Sequence, residues 1–117
     1  MNQMLTQLKA MSDGNRLKMV LALFHHPDLC ACQITEWLGV TGATVSRHLQ
    51  QLQHAGLIHA EKDGRWIHFS LSPDFPSELR AWLEPGLGKA EQKRLATILK
   101  QNPSDLCRKQ RNTNSDI

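Results

Sequence analysis

Apolar residues recur at three- and four-residue spacing over most of the chain, and this periodicity predicts helices. Residues 2–11 and 15–26 are two such segments, and the Ser12-Asp13 pair between them is typical of a helix N-cap. Pro27 ends the second segment, because proline disfavours helical backbone in the residue before it. Four further helices are predicted over residues 30–38, 42–55, 78–83 and 89–100. The chain is therefore expected to be mainly α-helical.

Residues 34–56 combine a helix, a tight turn and a second helix. Gly39 reverses the chain because glycine tolerates positive φ, and Thr41 caps the following helix through its hydroxyl. Val45 and Leu49 give that helix an apolar side, and its remaining faces are polar. Such a pair is typical of a helix-turn-helix, whose second helix enters the DNA major groove. Taken alone, the pattern is equally compatible with an ordinary helical hairpin with a solvated polar face.

Residues 57–71, LIHAEKDGRWIHFSL, carry a different pattern. Ile58 and Trp66 are β-formers, and Asp63-Gly64 predicts a two-residue hairpin turn between two strands. A small β-hairpin directly after a recognition helix makes the expected fold a winged helix-turn-helix.

The predicted recognition helix has hydrogen-bonding side chains and one permanent positive charge on its polar faces. Thr44, Arg47 and His48 are the predicted readers of base edges, since an arginine can contact a guanine through two hydrogen bonds. Lys62 and Arg65 flank the hairpin turn, where a wing meets DNA phosphates or where charge merely keeps an exposed hairpin soluble. The predicted DNA contacts are Thr41, Thr44, Ser46, Arg47, His48, Gln50, Lys62 and Arg65.

Composition narrows the class of protein. The chain has 117 residues and a formal net charge of +3, which suits a double-stranded DNA partner without demanding one. It has neither an apolar run of membrane-spanning length nor a signal-peptide pattern, so a cytoplasmic location with reduced cysteines is expected. It lacks a C-x-x-C motif, a phosphate-binding glycine loop and an acid–base constellation. Neither an enzyme nor an organic cofactor is therefore expected.

Apolar stripes at both ends of the chain exceed what a small three-helix core can cover. Met4 and Leu8 belong to one stripe, and Trp82 and Leu95 to the other. We therefore expect residues 1–101 to form a DNA-binding and dimerisation domain, a homodimer joined through its terminal helices. Residues 102–117 have no periodic apolar signal and are expected to form a flexible polar tail.

The run TGATVSRHLQQLQHAGLIHAEKDGRWIHFSLS, residues 41–72, resembles the recognition helix and wing of the ArsR/SmtB family of bacterial metalloregulatory repressors. The opening LKAMSDGNRLKMVLAL is similar to the same family, and Asp28-Leu29-Cys30-Ala31-Cys32 resembles the inducer motif of its arsenic- and cadmium/lead-responsive branches. The resemblance spans roughly residues 4–84. It implies a homodimeric repressor of its own operon that an inducer releases from operator DNA.

The sequence departs from the family pattern in three places. The arsenic-responsive branch often has a third cysteine shortly after the pair, whereas residues 33–37 contain no thiol here. The cadmium/lead branch adds cysteines near the N-terminus, and residues 1–29 have none. The zinc, nickel and cobalt branch uses histidines on its last helix, and residues 69–117 contain no histidine.

The resemblance makes Cys30 and Cys32 the predicted metal ligands, with Cys107 as a candidate third ligand from the same or the partner chain. As(III) and Sb(III) prefer thiolates because both are soft, and they are the expected inducers. Successive helical residues lie about 100° apart, so chelation by both members of the pair would unwind the first turn of the third helix. That distortion is expected to move the recognition helix out of register with the groove.

Other interpretations of the cysteines stay open. Cys30 and Cys32 are also compatible with small buried apolar residues, and Cys107 with an incidental tail thiol. A repressor that responds to oxidants or sulfur species, or to cadmium and lead, is the alternative function, although a Cys30–Cys32 disulfide would close a very small ring. His25 and His26 could join a zinc or cadmium site, or could be solvated residues at a helix C-terminus.

Overall fold

The computed structural model describes residues 2–115, and the side chains of residues 2–111. Within this range the protein is mainly α-helical with one small sheet, as predicted. The helices are α1 Asn2–Ala10, α2 Gly14–His25, α3 Ala31–Leu38, α4 Gly42–His54, α5 Ser77–Leu83, α6 Lys89–Leu99 and α7 Pro103–Ser115, with a turn of 3-10 helix at Glu84–Gly86 after α5. The strands are β1 Leu29–Cys30, β2 Ile58–Asp63 and β3 Trp66–Leu71. No helix in the described part of the chain combines the length and the apolar character that crossing a membrane requires.

The predicted helix-turn-helix is confirmed in α3 and α4. Gly39 ends α3 with φ of 70°, in the left-handed region that glycine tolerates, and its N–H donates to the Thr35 carbonyl oxygen. Thr41 caps α4, since its side-chain oxygen accepts a hydrogen bond from the backbone N–H of Thr44. The apolar side of α4 consists of Val45, Leu49 and Leu52 and is buried against the core. The opposite side of α4 is thereby left to solvent.

The sheet has three strands in the order β1-β3-β2, all antiparallel, so the predicted hairpin gains a short third strand. β1 pairs Leu29 with Phe69 and Cys30 with His68. A strand of two residues is too short to show alternation, which is why the sequence pattern missed it. The turn prediction was one residue early: Asp63 still pairs with Trp66, and Gly64, at φ of 62°, opens the two-residue loop.

The apolar stripes at the two ends of the chain differ in how far they are exposed to solvent. Met4, Leu5 and Leu8 of α1 are 64%, 49% and 50% exposed, and Trp82 of α5 is 77% exposed. The expectation of an exposed stripe is wrong for α6, where Leu95 is fully buried within this chain. α6 lies against α3, and its Glu91 carbonyl accepts a hydrogen bond from the Trp37 indole.

The predicted flexible tail is a helix over most of its length, and α7 packs on α3. Leu106 is only 2% exposed, and Cys107 forms a disulfide with Cys32. The Gln110 side chain donates to the Cys32 carbonyl oxygen at 2.9 Å, and Lys109 Nζ lies 2.9 Å from Glu36 Oε1. One apolar side chain cannot produce a periodic signal, so the contacts with α3, which are distant in sequence, were not predictable. Residues 116–117 of the predicted tail lie outside the described residues.

A candidate DNA interface and a cysteine cleft

The solvent side of α4 holds most of the predicted DNA contacts. Thr41, Ser46, Arg47 and Gln50 are exposed. Thr44 is half-buried, and its hydroxyl oxygen lies 2.9 Å from that of Thr41, so the two hydroxyls bond to each other at the start of the helix. The structure therefore places one arginine and several neutral hydrogen-bonding groups on a single accessible face of α4.

His48 differs from the other predicted base readers. Its side chain is only 15% exposed and lies between α4 and the beginning of α2. His48 Nδ1 lies 3.3 Å from Arg16 Nη1, and His48 Nε2 lies 3.9 Å from Asp13 Oδ2. These contacts hold the His48 ring between the two helices and fix α4 against α2.

Arg16 is a residue that the sequence reasoning missed. Its Nε donates to the Ala10 carbonyl oxygen at 2.6 Å, and its Nη1 donates to Gln51 Oε1 at 2.5 Å. Asp13 caps α2 by accepting from the backbone N–H groups of Asn15 and Arg16. The Arg16 N–H is the main cause that lowers the pKa of the Asp13 carboxyl below its ordinary value. The side-chain contacts of Arg16 reach α1 and α4, so no signal within α2 predicts this network.

The wing places its two predicted cations differently. Lys62 is exposed on β2, opposite Ile67 of β3. Arg65 lies in the loop itself, with its guanidinium carbon 5.7 Å from the centre of the Trp66 ring. Arg65 also borders the cleft that contains the cysteines.

All three cysteines line one cleft of about 380 Å³, here called the cysteine cleft. Cys30 comes from the end of β1, Cys32 from the first turn of α3 and Cys107 from α7. The wing contributes the second wall. The other side chains at this cleft are Ala31, Arg65, Trp66, Ile67, Ser104 and Arg111.

The geometry of the cysteine pair corrects one premise of the sequence argument. Cys30 is the N-cap of α3 with φ of −91° and ψ of 161°, so its backbone is extended and only Cys32 is helical. The two side chains therefore do not diverge as two helical residues would, and both reach the same cleft. Unwinding of α3 is no longer required to bring them together.

The oxidation state also differs from the expectation of three reduced cysteines. Cys32 and Cys107 are joined as a disulfide with their Cα atoms 5.4 Å apart, because α7 packs directly on α3. Cys30 is the free cysteine and is 4% exposed. Within residues 2–115, no group of three or more His, Cys, Asp and Glu side chains is arranged to hold a metal ion.

The two histidines at the end of α2 lie apart from the cysteine cleft. His25 Nε2 lies 3.2 Å from the Glu84 carbonyl oxygen. Burial, followed by the neighbouring His25, lowers the pKa of His26 from its ordinary value of 6.5. Neither ring is among the side chains that line the cleft.

Comparisons with known proteins agree with this architecture. The profile of the bacterial regulatory protein arsR family matches residues 13–60. The arsenical resistance operon repressor of Escherichia coli K12 is 32% identical over 102 residues, which cover 85% of this chain and 84% of the relative. The arsenic resistance transcriptional regulator ArsR1 of Pseudomonas putida KT2440 is 33% identical, covering 75% of this chain and 68% of the relative.

Solved structures show the same fold. HlyU from Vibrio cholerae superposes with a TM-score of 0.62 at 25% identity, over 72% of this chain and 87% of that one. The transcriptional repressor PagR of Bacillus anthracis has a TM-score of 0.62 at 24% identity, over 74% and 94% of the two chains. These structures confirm the predicted winged helix-turn-helix fold. The family profile and the relatives confirm the predicted class, a transcriptional regulator. The chain belongs to the arsR family of bacterial regulatory proteins.

Proposed function

We propose that the protein is a cytoplasmic transcriptional repressor that binds operator DNA as a homodimer and dissociates when As(III) or Sb(III) binds its cysteines. The observation that carries this proposal is the meeting of Cys30, Cys32 and Cys107 at one cleft, whose walls are the start of α3, the wing and α7. The relatives from E. coli and P. putida are named for arsenic resistance, which supports the choice of ion.

The DNA contacts of this proposal follow from exposure. Thr41, Ser46, Arg47 and Gln50 approach the major groove with α4, and Thr44 contributes through its hydroxyl pair with Thr41. On the wing, Lys62 and Arg65 meet the phosphate backbone. His48, held between α2 and α4, sets the position of the recognition helix instead of reading bases.

The homodimer of this proposal uses the exposed apolar faces of α1 and α5. Met4, Leu8, Leu79 and Trp82 line an open groove between these two helices. Exposed apolar patches of this kind mark association surfaces, and a two-fold axis would bury the same patch on both chains. Residues 1–101 would then carry both DNA binding and dimerisation.

The ligand chemistry requires reduced cysteines. A cellular dithiol first reduces the Cys32–Cys107 disulfide by supplying two electrons and two protons, which yields two thiols and the oxidised dithiol. Arsenous acid then exchanges its three hydroxyl groups for the sulfurs of Cys30, Cys32 and Cys107, which forms three As–S bonds and releases three waters. Thiolate sulfur is the donor that this soft ion prefers. A coupling of about 1–3 kcal/mol between this site and the DNA face is enough to change operator occupancy.

A redox-responsive repressor is the second candidate, because Cys32 and Cys107 already form a disulfide. In this alternative a peroxide oxidises the two thiols, which lose two electrons and two protons to it, and the peroxide leaves as two waters. The bond ties α7 to the first helix of the helix-turn-helix, so DNA affinity would follow the oxidation state.

Fluorescence anisotropy of labelled duplex from upstream of the gene separates the two candidates. We expect the reduced protein to bind the duplex and to be released by arsenite or antimonite but not by zinc. Cys30→Ser and Cys32→Ser should remain bound, whereas Ser104→Ala, a cleft residue without a thiol, should be released like the wild type. Release of Cys107→Ser would indicate a two-coordinate site.

Cadmium, lead and hydrogen peroxide complete the titration. Release by peroxide together with indifference to arsenite would replace the metalloid proposal with the redox one. Release by arsenite of both the Cys30→Ser and the Cys32→Ser variants would contradict the ligand assignment.

A further inference from the structure

A second cleft, here called the basic cleft, lies between α1, α2 and α4 and has a volume of about 480 Å³. Lys9 comes from α1, Arg16 from α2, and Arg47 and His54 from α4. Thr6, Gln50 and Gln51 add neutral hydrogen-bonding groups, and no Asp or Glu is among the described residues that line it. The site therefore combines three permanent cations with hydrogen-bond donors, which is the chemistry that phosphate oxygens accept.

Arg16 is held in place before any ligand arrives. Its bonds to Ala10 and Gln51 engage Nε and Nη1, and His48 lies against Nη1. A guanidinium has five N–H donors, so these bonds do not exhaust it. The nearby Asp13 carboxylate accepts the N-terminal N–H groups of α2. A guanidinium fixed in this way loses little side-chain freedom when it binds an anion.

The basic cleft is continuous with the recognition face. Arg47 and Gln50 lie on the exposed side of α4 and also line the cleft. A duplex whose major groove receives α4 must carry its phosphate strands along the flanks of that helix. The cations contributed by α1 and α2 stand on one such flank.

We propose that the basic cleft binds a backbone phosphate of duplex DNA, so that Lys9 and Arg16 extend the DNA interface beyond α4 and the wing. This inference rests on the proposed binding of DNA by the α4 face. Because a phosphate contact carries no base information, its contribution is the same for operator and non-operator duplex. It also sets the register of α4 along the groove.

Lys9→Gln is the test variant, since Lys9 is exposed and its loss leaves the core intact. Lys18→Gln is the matched control, because Lys18 is an exposed lysine of α2 that does not line the cleft. Binding of each protein to labelled upstream duplex and to a duplex of unrelated sequence is measured over a range of potassium chloride concentrations. We expect Lys9→Gln to lower the slope of log affinity against log salt by about 1.8 on both duplexes, because each lost phosphate contact contributes about 0.9 and the proposed homodimer loses one contact per protomer. The control should keep the wild-type slope.

An equal slope for Lys9→Gln, Lys18→Gln and wild type would overturn the inference while leaving DNA binding intact. Failure of the wild type to bind either duplex would instead overturn the proposed function, so the two failures are distinguishable. The Arg16 Nε–Hε resonance distinguishes the source of the phosphate. Saturation of its shift by duplex supports the inference, and saturation by the same concentration of inorganic phosphate with an unchanged salt slope contradicts it.

Discussion

Reduction of the Cys32–Cys107 disulfide should lower the free energy of unfolding substantially. The two cysteines are 75 residues apart in sequence, so the bond closes a loop that spans most of the domain. A cross-link restricts the unfolded chain, and the loop-entropy relation gives about 4.5 kcal/mol at 25 °C for a loop of this length. With a urea m-value of about 1.5 kcal/mol per molar, the unfolding midpoint would fall by roughly 3 M.

Urea unfolding followed by far-UV circular dichroism measures this difference at one fixed protein concentration, since the proposed dimerisation would make stability concentration-dependent. Cys30→Ser is the matched control and should show the same gap between oxidised and reduced protein, because Cys30 takes no part in the bond. Cys107→Ser should give one midpoint in both conditions. Equal midpoints for oxidised and reduced wild type would refute the stabilisation assigned to the Cys32–Cys107 bond.

Three other results follow from the packing and the pKa shifts. Leu106→Ala, at a position 2% exposed, should cost about 2–3 kcal/mol of the free energy of unfolding; an unchanged urea midpoint would contradict the docking of α7. Trp82→Glu should convert the proposed dimer to a folded monomer in analytical ultracentrifugation, whereas Ile67→Glu, on the exposed wing, should leave it dimeric; a persistent Trp82→Glu dimer would place the interface elsewhere. Burial lowers the pKa of His26, so the unfolded chain binds a proton at this ring at higher pH than the folded chain does. The melting temperature should therefore decrease as the pH is lowered from about 7.5 to about 5.5. His26→Gln should reduce that fall, and an identical pH profile for this variant and the wild type would assign the dependence to other groups.

Local signals made much of the DNA-binding unit predictable. A cap at Asp13, a left-handed glycine at position 39 and the apolar spacing of α4 are each complete within a few residues. The interactions behind these three features act over one or two helical turns, so the neighbouring sequence is enough to predict each helix end and buried face.

Contacts between distant segments were not predictable in the same way. The pattern gave no reason for Cys107 to meet Cys32, because α7 has little apolar surface of its own and depends on α3 for its position. The assignment of His48 to base reading used its place on the polar side of α4. Only the packing of α2 against α4 reveals that the His48 ring contacts Arg16 and Asp13. The meeting of the three cysteines at one cleft likewise depends on β1, which positions Cys30 and is too short to show an alternating sequence pattern.

The two-residue strand β1 has a kinetic consequence. Cys30 pairs with His68 in the wing sheet and is also the residue from which α3 starts. The wing and the helix-turn-helix are therefore joined at one backbone position, and a ligand that displaces Cys30 would pull at once on both elements that contact DNA in the proposed function. Departure from DNA would then proceed as one concerted step, without a long-lived species in which the wing has left and the recognition helix remains bound.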